Sequence, residues 1–352
     1  MHYIPPPVTA IKILMQNMKE NTEIISSQAN SEKDYENGDI LQRLHTHTFL
    51  DFLDIHDDNM LVGGSDFSGR YWDGNIYVST ISQEGEISTG NLEASINTIA
   101  GSADGCFLDN PQRIILCEDS GAIEVWSFVQ DQNLWVQESH IEEHDSAVLT
   151  IGCLVPNNLY VTAGADENIK AWDVKQMRST RDYRKAHSHV ISQVAVQPGS
   201  SDVFVTGSLD HEVKLWDYRL QKSVSALVNN DAVRCVQWLD EHHVMFGDEA
   251  GSLKLVDSRN IQDGKSTKTL HEFPVPVHKI EVERETKKMA VCCDNATILT
   301  FDASNKESLN IIYENSSHRN FVRGLAWDTA NKNVLYSSGW DGLVKKHIIP
   351  NI

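Results

Sequence analysis

The sequence predicts an all-β chain folded as a closed propeller of seven blades. Three observations predict it. First, a Trp-Asp tag recurs in Ala171-Trp172-Asp173 and Leu215-Trp216-Asp217, and each Trp stands six residues after a turn Asp, Asp166 or Asp210. Second, weaker copies flank the pair at nearly even steps. From Trp126 to Trp172 is 46 residues, from there to Trp216 is 44, and from there to Val256 of Leu255-Val256-Asp257 is 40. Third, only five residues follow His347, too few for another strand, while residues 39–47 precede the first blade with no place in it. A period of about 40–45 residues with Trp-Asp at a strand end marks the four-stranded blade of WD40 type.

The elements follow in order. Residues 1–38 read as a flexible N-terminal arm: a triple Pro, then a polar run that buries too little to offset the entropy of ordering. Ile11, Leu14, Met15 and Met18 stand at helical spacing, a chance pattern in such an arm or a short docking helix. Residues 39–352 are expected to be the propeller. Gly74-Asn75-Ile76-Tyr77-Val78-Ser79 aligns with Gly121-Ala122-Ile123-Glu124-Val125-Trp126 and supplies blade one. Third strands then end near 79, 126, 172, 216, 256, 301 and 347. Residues 39–47 are expected to be the outer strand of blade seven, which removes the open edge that invites aggregation.

Composition narrows the function. The formal charge of −20 argues against direct nucleic-acid or anionic-membrane binding, where Lys and Arg supply most of the affinity. No apolar run spans a bilayer, and Met1 to Pro7 lacks the basic start and apolar core of a secretion signal. The six Cys form no CxxC pair and no zinc spacing, so they read as reduced core residues of an intracellular, cytoplasmic chain, with the nucleus as a second compartment. No metal, cofactor or catalytic residue is expected.

His, Thr and Asp recur at blade register. His144, Thr162, Asp166 and Trp172 have the spacing of a hydrogen-bonded tetrad inside a blade. Blade four repeats it with His187, Thr206, Asp210 and Trp216, and blade seven has His318, Ser337 and Asp341, with His347 for the Trp. Hydroxyl, imidazole and carboxylate are also the groups of a nucleophilic triad. A single active site does not appear in three copies, so the structural reading stands. Asn229 and Phe273 take the His position in blades five and six, which are expected to lean on apolar packing.

One loop exceeds what a blade needs. Between Asn59–Ser65 and Gly74 the chain carries Phe67, Arg70, Tyr71 and Trp72, types that dominate interface hot spots. The residues alone fit a docking loop or one folded back over the blade. Acidic clusters at Asp51, Asp54, Asp57 and Asp58, and at Glu138, Glu142, Glu143 and Asp145, are either solvated charge or a field that steers basic partners.

Three stretches carry a more specific likeness: Phe67-Ser68-Gly69-Arg70-Tyr71-Trp72-Asp73-Gly74, Phe246 to Asp257, and His318-Arg319-Asn320-Phe321-Val322-Arg323-Gly324-Leu325-Ala326-Trp327 with Gly339-Trp340-Asp341. With Pro5-Pro6-Pro7 they resemble the methylosome WD-repeat subunits, the methylosome protein 50 and Valois family. The likeness runs through blades one to seven and is weakest in the first and sixth. It implies a non-catalytic partner of the type II protein arginine methyltransferase, which makes symmetric dimethylarginine. In that family the subunit docks on the enzyme's N-terminal barrel, four copies with four, and recruits Arg-rich substrates such as Sm proteins and histones. The family's docking Arg and Trp fall on Arg70 and Trp72, and its blade-seven Phe on Phe321. The rival reading is a WD40 adaptor of another machine, a histone-binding module or a ubiquitin-ligase substrate receptor.

Overall fold

The computed structural model describes residues 40–43, 48–66, 73–81, 94–263 and 267–351. The expected arm, 1–38, lies outside the described residues. The rest form seven sheets of four antiparallel strands, with short 3-10 turns and no α-helix among the described residues. Blade one runs Thr48–His56, Asn59–Asp66, Asp73–Thr80 and Ala94–Thr98. Five further blades repeat this order, from Ser102–Phe107 to Asn310–Asn315. Blade seven takes Val322–Trp327, Val334–Gly339 and Leu343–Ile348 and borrows its outer strand, Ile40–Arg43, from before blade one. Ile40 lies opposite Lys345, Gln42 opposite Val344 and Arg43 opposite Leu343.

The third strands share one frame. Ser79 faces Met60, Trp126 faces Ile114, Trp172 faces Tyr160 and Trp216 faces Phe204. Val256, Phe301 and His347 face Val244, Met289 and Leu335 in the same way. Each partner is the second residue of its strand, so one register serves all seven blades.

The Trp-Asp tag has two local causes. The Trp packs between neighbouring blades: Trp172 shares a core cluster with Ile115 and Val125 of blade two, Trp216 with Val161 and Ala171 of blade three, and they are 2% and 3% exposed. The Asp caps the next turn. Asp173 Oδ1 accepts the backbone N–H groups of Lys175 and Gln176, and Asp217, Asp257 and Asp302 do the same for Arg219, Arg259 and Ser304. At the opposite end, the turn after strand two closes with one backbone bond in five blades, and its donor residue has positive φ: Gly121, Glu167, His211, Gly251 and Gly342. Glycine holds three of these positions because it enters that region without strain.

Side chains stitch the blades together around the channel. Inner strands touch their neighbours from Thr48–His56 round to Val322–Trp327 and back. Their inward N–H groups have no sheet partner, and the preceding blade supplies one. Asp54 Oδ2 accepts Phe107 N–H at 2.9 Å and Asp104 Oδ2 accepts Ile151 N–H at 3.0 Å. Thr150 Oγ1 accepts Val194 N–H at 3.1 Å and Gln193 Oε1 accepts Val236 N–H at 3.2 Å. Burial pushes the Asp54 carboxyl up to about 6. Asp51 and Asp54 therefore do not form the steering surface their clustering suggested: both are half-buried and hydrogen-bonded, and only Asp57 and Asp58 stand exposed in the turn. In the second acidic run Glu138 is spent on Arg113 at 2.7 Å. All six cysteines are free thiols, four of them buried.

Deleting residues 1–38 should leave the melting temperature close to that of the full chain, because Ile40–Arg43 remains. Deleting 1–47 should lower it and produce concentration-dependent association in light scattering, because blade seven then shows a bare edge. A 1–47 deletion that melts with the full chain and stays monodisperse would make the closing strand dispensable.

Candidate protein-interaction surface

Phe67, Arg70, Tyr71 and Trp72 lie outside the described residues, but the base of their loop is defined. Asp66 pairs with Asp73 and Ser65 with Gly74 at the end of the blade-one hairpin. Ser65 Oγ donates to Asp51 Oδ2 at 3.3 Å, and Trp340 Nε1 of blade seven donates to Asp51 Oδ1 at 2.8 Å. Trp340 in turn meets Phe321 edge-on, ring centroids 5.5 Å apart, and Phe49 at 5.8 Å. Arg323 lies over both blade-seven rings, 4.9 Å from the Phe321 centroid and 4.5 Å from that of Trp340, and its guanidinium bonds Asp294 at 2.6 Å. One chain of contacts thus joins the foot of the loop to Phe321 across the seam between blades seven and one.

This seam is aromatic and charged together. Phe321 and Trp340 are half-buried, while Arg323 is 7% exposed, a desolvated cation held by two ring faces and a carboxylate. Burial pushes the Asp51 carboxyl up to about 7, and the nearby Asp119 charge adds to it. Asp119 is itself raised to about 6 by burial. Gly101 lets these groups approach: a Cβ there would stand 2.4 Å from Ser65 Oγ and 2.8 Å from Asp119 Oδ2. Phe321 is therefore a stacking residue with an open flank.

The tetrad residues meet in three blades. Trp172 Nε1 donates to Thr162 Oγ1 at 2.7 Å, that hydroxyl lies 2.9 Å from His144 Nε2, and His144 Nδ1 lies 2.8 Å from Asp166. In blade four the distances are 2.8 Å for Trp216 to Thr206, 2.7 Å for Thr206 to His187 and 2.9 Å for His187 to Asp210. Although burial pushes Asp166 upward, the bonds from His144 and Asn168 hold its carboxyl below the usual range. Thr162, Thr206 and Ser337 are all 0% exposed. A nucleophile needs access to its substrate, and these hydroxyls have none.

Blade seven varies the theme. His318 Nε2 and His347 Nε2 each lie 2.8 Å from Ser337 Oγ, His318 Nδ1 lies 3.0 Å from Asp341, and His347 Nδ1 lies 3.0 Å from Tyr313 Oη. Blade five departs from expectation. Apolar packing does not replace its tetrad: Asn229 Nδ2 donates to Asp248 Oδ2 at 3.1 Å, and Lys254 Nζ donates to both side chains. The sequence comparison missed it because Asp248 sits two residues ahead of the usual Asp position and the Lys takes over as donor. Blade six follows expectation, with Phe273 against Phe301 at 6.2 Å.

The family model described as WD domain, G-beta repeat, matches residues 178–217 and 309–346. Each match begins at one blade's outer strand, the second one residue ahead of it, and ends on the third strand of the next. Over 300 residues the chain is 28% identical to methylosome protein WDR77 of Xenopus laevis, covering 84% of this chain and 87% of that one. The chain is a seven-bladed WD40 propeller. Among the described residues of this WD40 propeller, no helix is long and apolar enough to cross a membrane.

Two measurements test the polar networks of the WD40 propeller. Thr162→Val should cost about 1–3 kcal/mol in urea unfolding, because Trp172 Nε1–H and His144 Nε2 are left buried without a partner. An unchanged midpoint would mean that water replaces the hydroxyl. Burial pushes the His347 ring down to about 3, so the folded chain refuses a proton that the unfolded chain binds below its ordinary value of 6.5. The His347 contribution is complete above pH 6.5 and is lost as pH falls from there toward 3, at up to about 1.4 kcal/mol per pH unit. His347→Gln should flatten the fall in stability between pH 7 and 5; an identical slope in the variant would remove His347 from the account.

Proposed function

We propose that the chain is the WD40 subunit of a methylosome-type complex, a non-catalytic scaffold that docks a type II protein arginine methyltransferase and presents Arg-rich substrates to it. The observation that carries this reading is the similarity to methylosome protein WDR77 along 84% of the chain. The assembly implied is four copies with four of the enzyme, and the substrates are of the Sm-protein or histone kind, met in the cytoplasm and in the nucleus. A net charge of −20 suits basic substrates. The burial of every tetrad hydroxyl is consistent with a scaffold.

Within this reading, Trp72 and Arg70 form the centre of the dock, with Phe67 and Tyr71 around them and Phe321 at its edge. The seam supports this grouping: Ser65, Asp51, Trp340 and Phe321 form one bonded chain from the loop base to blade seven. Phe321 adds an apolar flank beside Arg323, whose charge is already neutralised by Asp294.

Binding of the purified chain to the methyltransferase should weaken by about 2–4 kcal/mol for Trp72→Ala, roughly thirty- to a thousandfold, and by less for Phe321→Ala. The melting temperature of Trp72→Ala should stay within a degree or two of the parent, since substitutions away from the core change stability by only about 0.5 kcal/mol. Undiminished binding by Trp72→Ala and Arg70→Ala would move the dock elsewhere. Recovery of a cullin adaptor, with no methyltransferase, from a pull-down on the full chain would favour the ubiquitin-ligase reading.

A further inference from the structure

Blade two inverts a charge that three other blades keep. The third residue of the third strand is Lys214 in blade four, Lys254 in blade five and Lys345 in blade seven, and each ammonium bonds an oxygen of its own blade. In blade five that oxygen is Asp248, at the end of strand two, 2.8 Å away. Blade two has Glu118 in the place of Asp248 and Glu124 in the place of the lysine. Two carboxylates, 1% and 2% exposed, thus occupy the space where blade five holds an ion pair.

The third member comes from the outer strand. His140 lies directly opposite Glu124 in the sheet, and its Nδ1 is 2.8 Å from Glu124 Oε1. One ligand atom from each of Glu118, Glu124 and His140 lies within 4.8 Å of the other two. Glu118 Oε2 accepts from Ser120 at 2.9 Å, but the buried Oε1 has no hydrogen-bond partner.

We propose that Glu118, Glu124 and His140 form a binding site for a divalent transition-metal cation of the zinc class. Two carboxylate oxygens and one imidazole nitrogen are a common zinc donor set, and the half-exposed ring of His140 leaves a fourth position open to water. The surrounding groups match what orients such ligands. His140 Nε2 lies 3.1 Å from Glu142 Oε1, a contact that orients the ring with Nδ1 toward Glu124. Trp126 Nε1 donates to Glu124 Oε2 at 2.8 Å, and Gln137 donates to Oε1. A bound cation would tie the outer strand to the two strands inside it. No sequence motif announces the site, because sheet pairing assembles it from three strands.

The test is calorimetric titration of the chelator-treated full chain with zinc, with cobalt(II) absorption as a geometric readout. One equivalent should bind, more weakly at pH 6 than at pH 8 because protons compete. Loss of an outer-shell partner alone costs about 10–100-fold in metal affinity, so Glu118→Gln and His140→Ala should each cost at least tenfold. Glu118→Gln is expected to fold, since the amide keeps the size of the side chain and its oxygen can still accept from Ser120. Glu212→Ala, beside the second group of metal-capable side chains at His187 and Asp210, should bind as the parent does. The proposal falls if the parent takes up no stoichiometric zinc, if Glu118→Gln and His140→Ala bind undiminished, or if Glu212→Ala abolishes binding.

Discussion

The propeller depends on satisfying the inward edge of each inner strand. That edge has no neighbour within its own sheet, and a buried N–H without a partner costs about 1–3 kcal/mol. Asp54, Asp104, Thr150 and Gln193 answer it across four successive blade boundaries. The side-chain types differ while the geometry holds, so the requirement falls on an acceptor at the right height. A carboxylate in this role accepts a raised pKa, as Asp54 shows, because the N–H bonds only partly offset its burial. Closure by Ile40–Arg43 lets the chain of stitches become a ring, and without it blade seven would be a sheet of three strands.

A second network lies further out in each blade, and its variation is informative. Blades three and four use Trp, Thr, His and Asp; blade seven replaces the Trp with a histidine held between Ser337 and Tyr313. Blade five uses Asn229, Asp248 and Lys254, and blade six gives up polarity for Phe273 and Phe301. Each solution neutralises its own charge or carries none. Among the described residues, blade two places two buried carboxylates beside one imidazole, and the argument for a cation rests on that juxtaposition and on the unpartnered Glu118 Oε1.

Much of this was legible in the sequence, for identifiable reasons. The blade count and the closing strand follow from a repeat whose Trp and Asp do fixed work, one filling space and one capping a turn. The tetrads were legible because His, Thr and Asp keep their spacing. Blade five was not, since Asp248 reaches the same space from a position two residues earlier, and side-chain reach leaves no trace in spacing. The stitches around the channel were also invisible, because each joins residues 43 to 53 apart whose types share only an acceptor oxygen. The acidic run from Asp51 to Asp58 misled for a related reason: Asp51, at a bulge, bonds toward blade seven and Asp54 toward blade two, which leaves only the turn residues to solvent.

The proposed dock and the ring's closure meet at one place. Loop 67–72 springs from blade one, Phe321 and Trp340 belong to blade seven, and the bond from Trp340 to Asp51 crosses between them. Blade seven also holds the borrowed strand, joined by the pairings of Ile40, Gln42 and Arg43. A partner that grips both sides of this boundary binds the closed ring and not an opened one, so its free energy of binding adds to closure by mass action. Opening of blade seven against blade one would separate Phe321 from the loop base and divide the surface that the partner reads. On the proposed docking reading, the aromatic and charged side chains at the closing boundary would couple integrity of the ring to competence for docking, through Asp51, a carboxylate bonded from both blades.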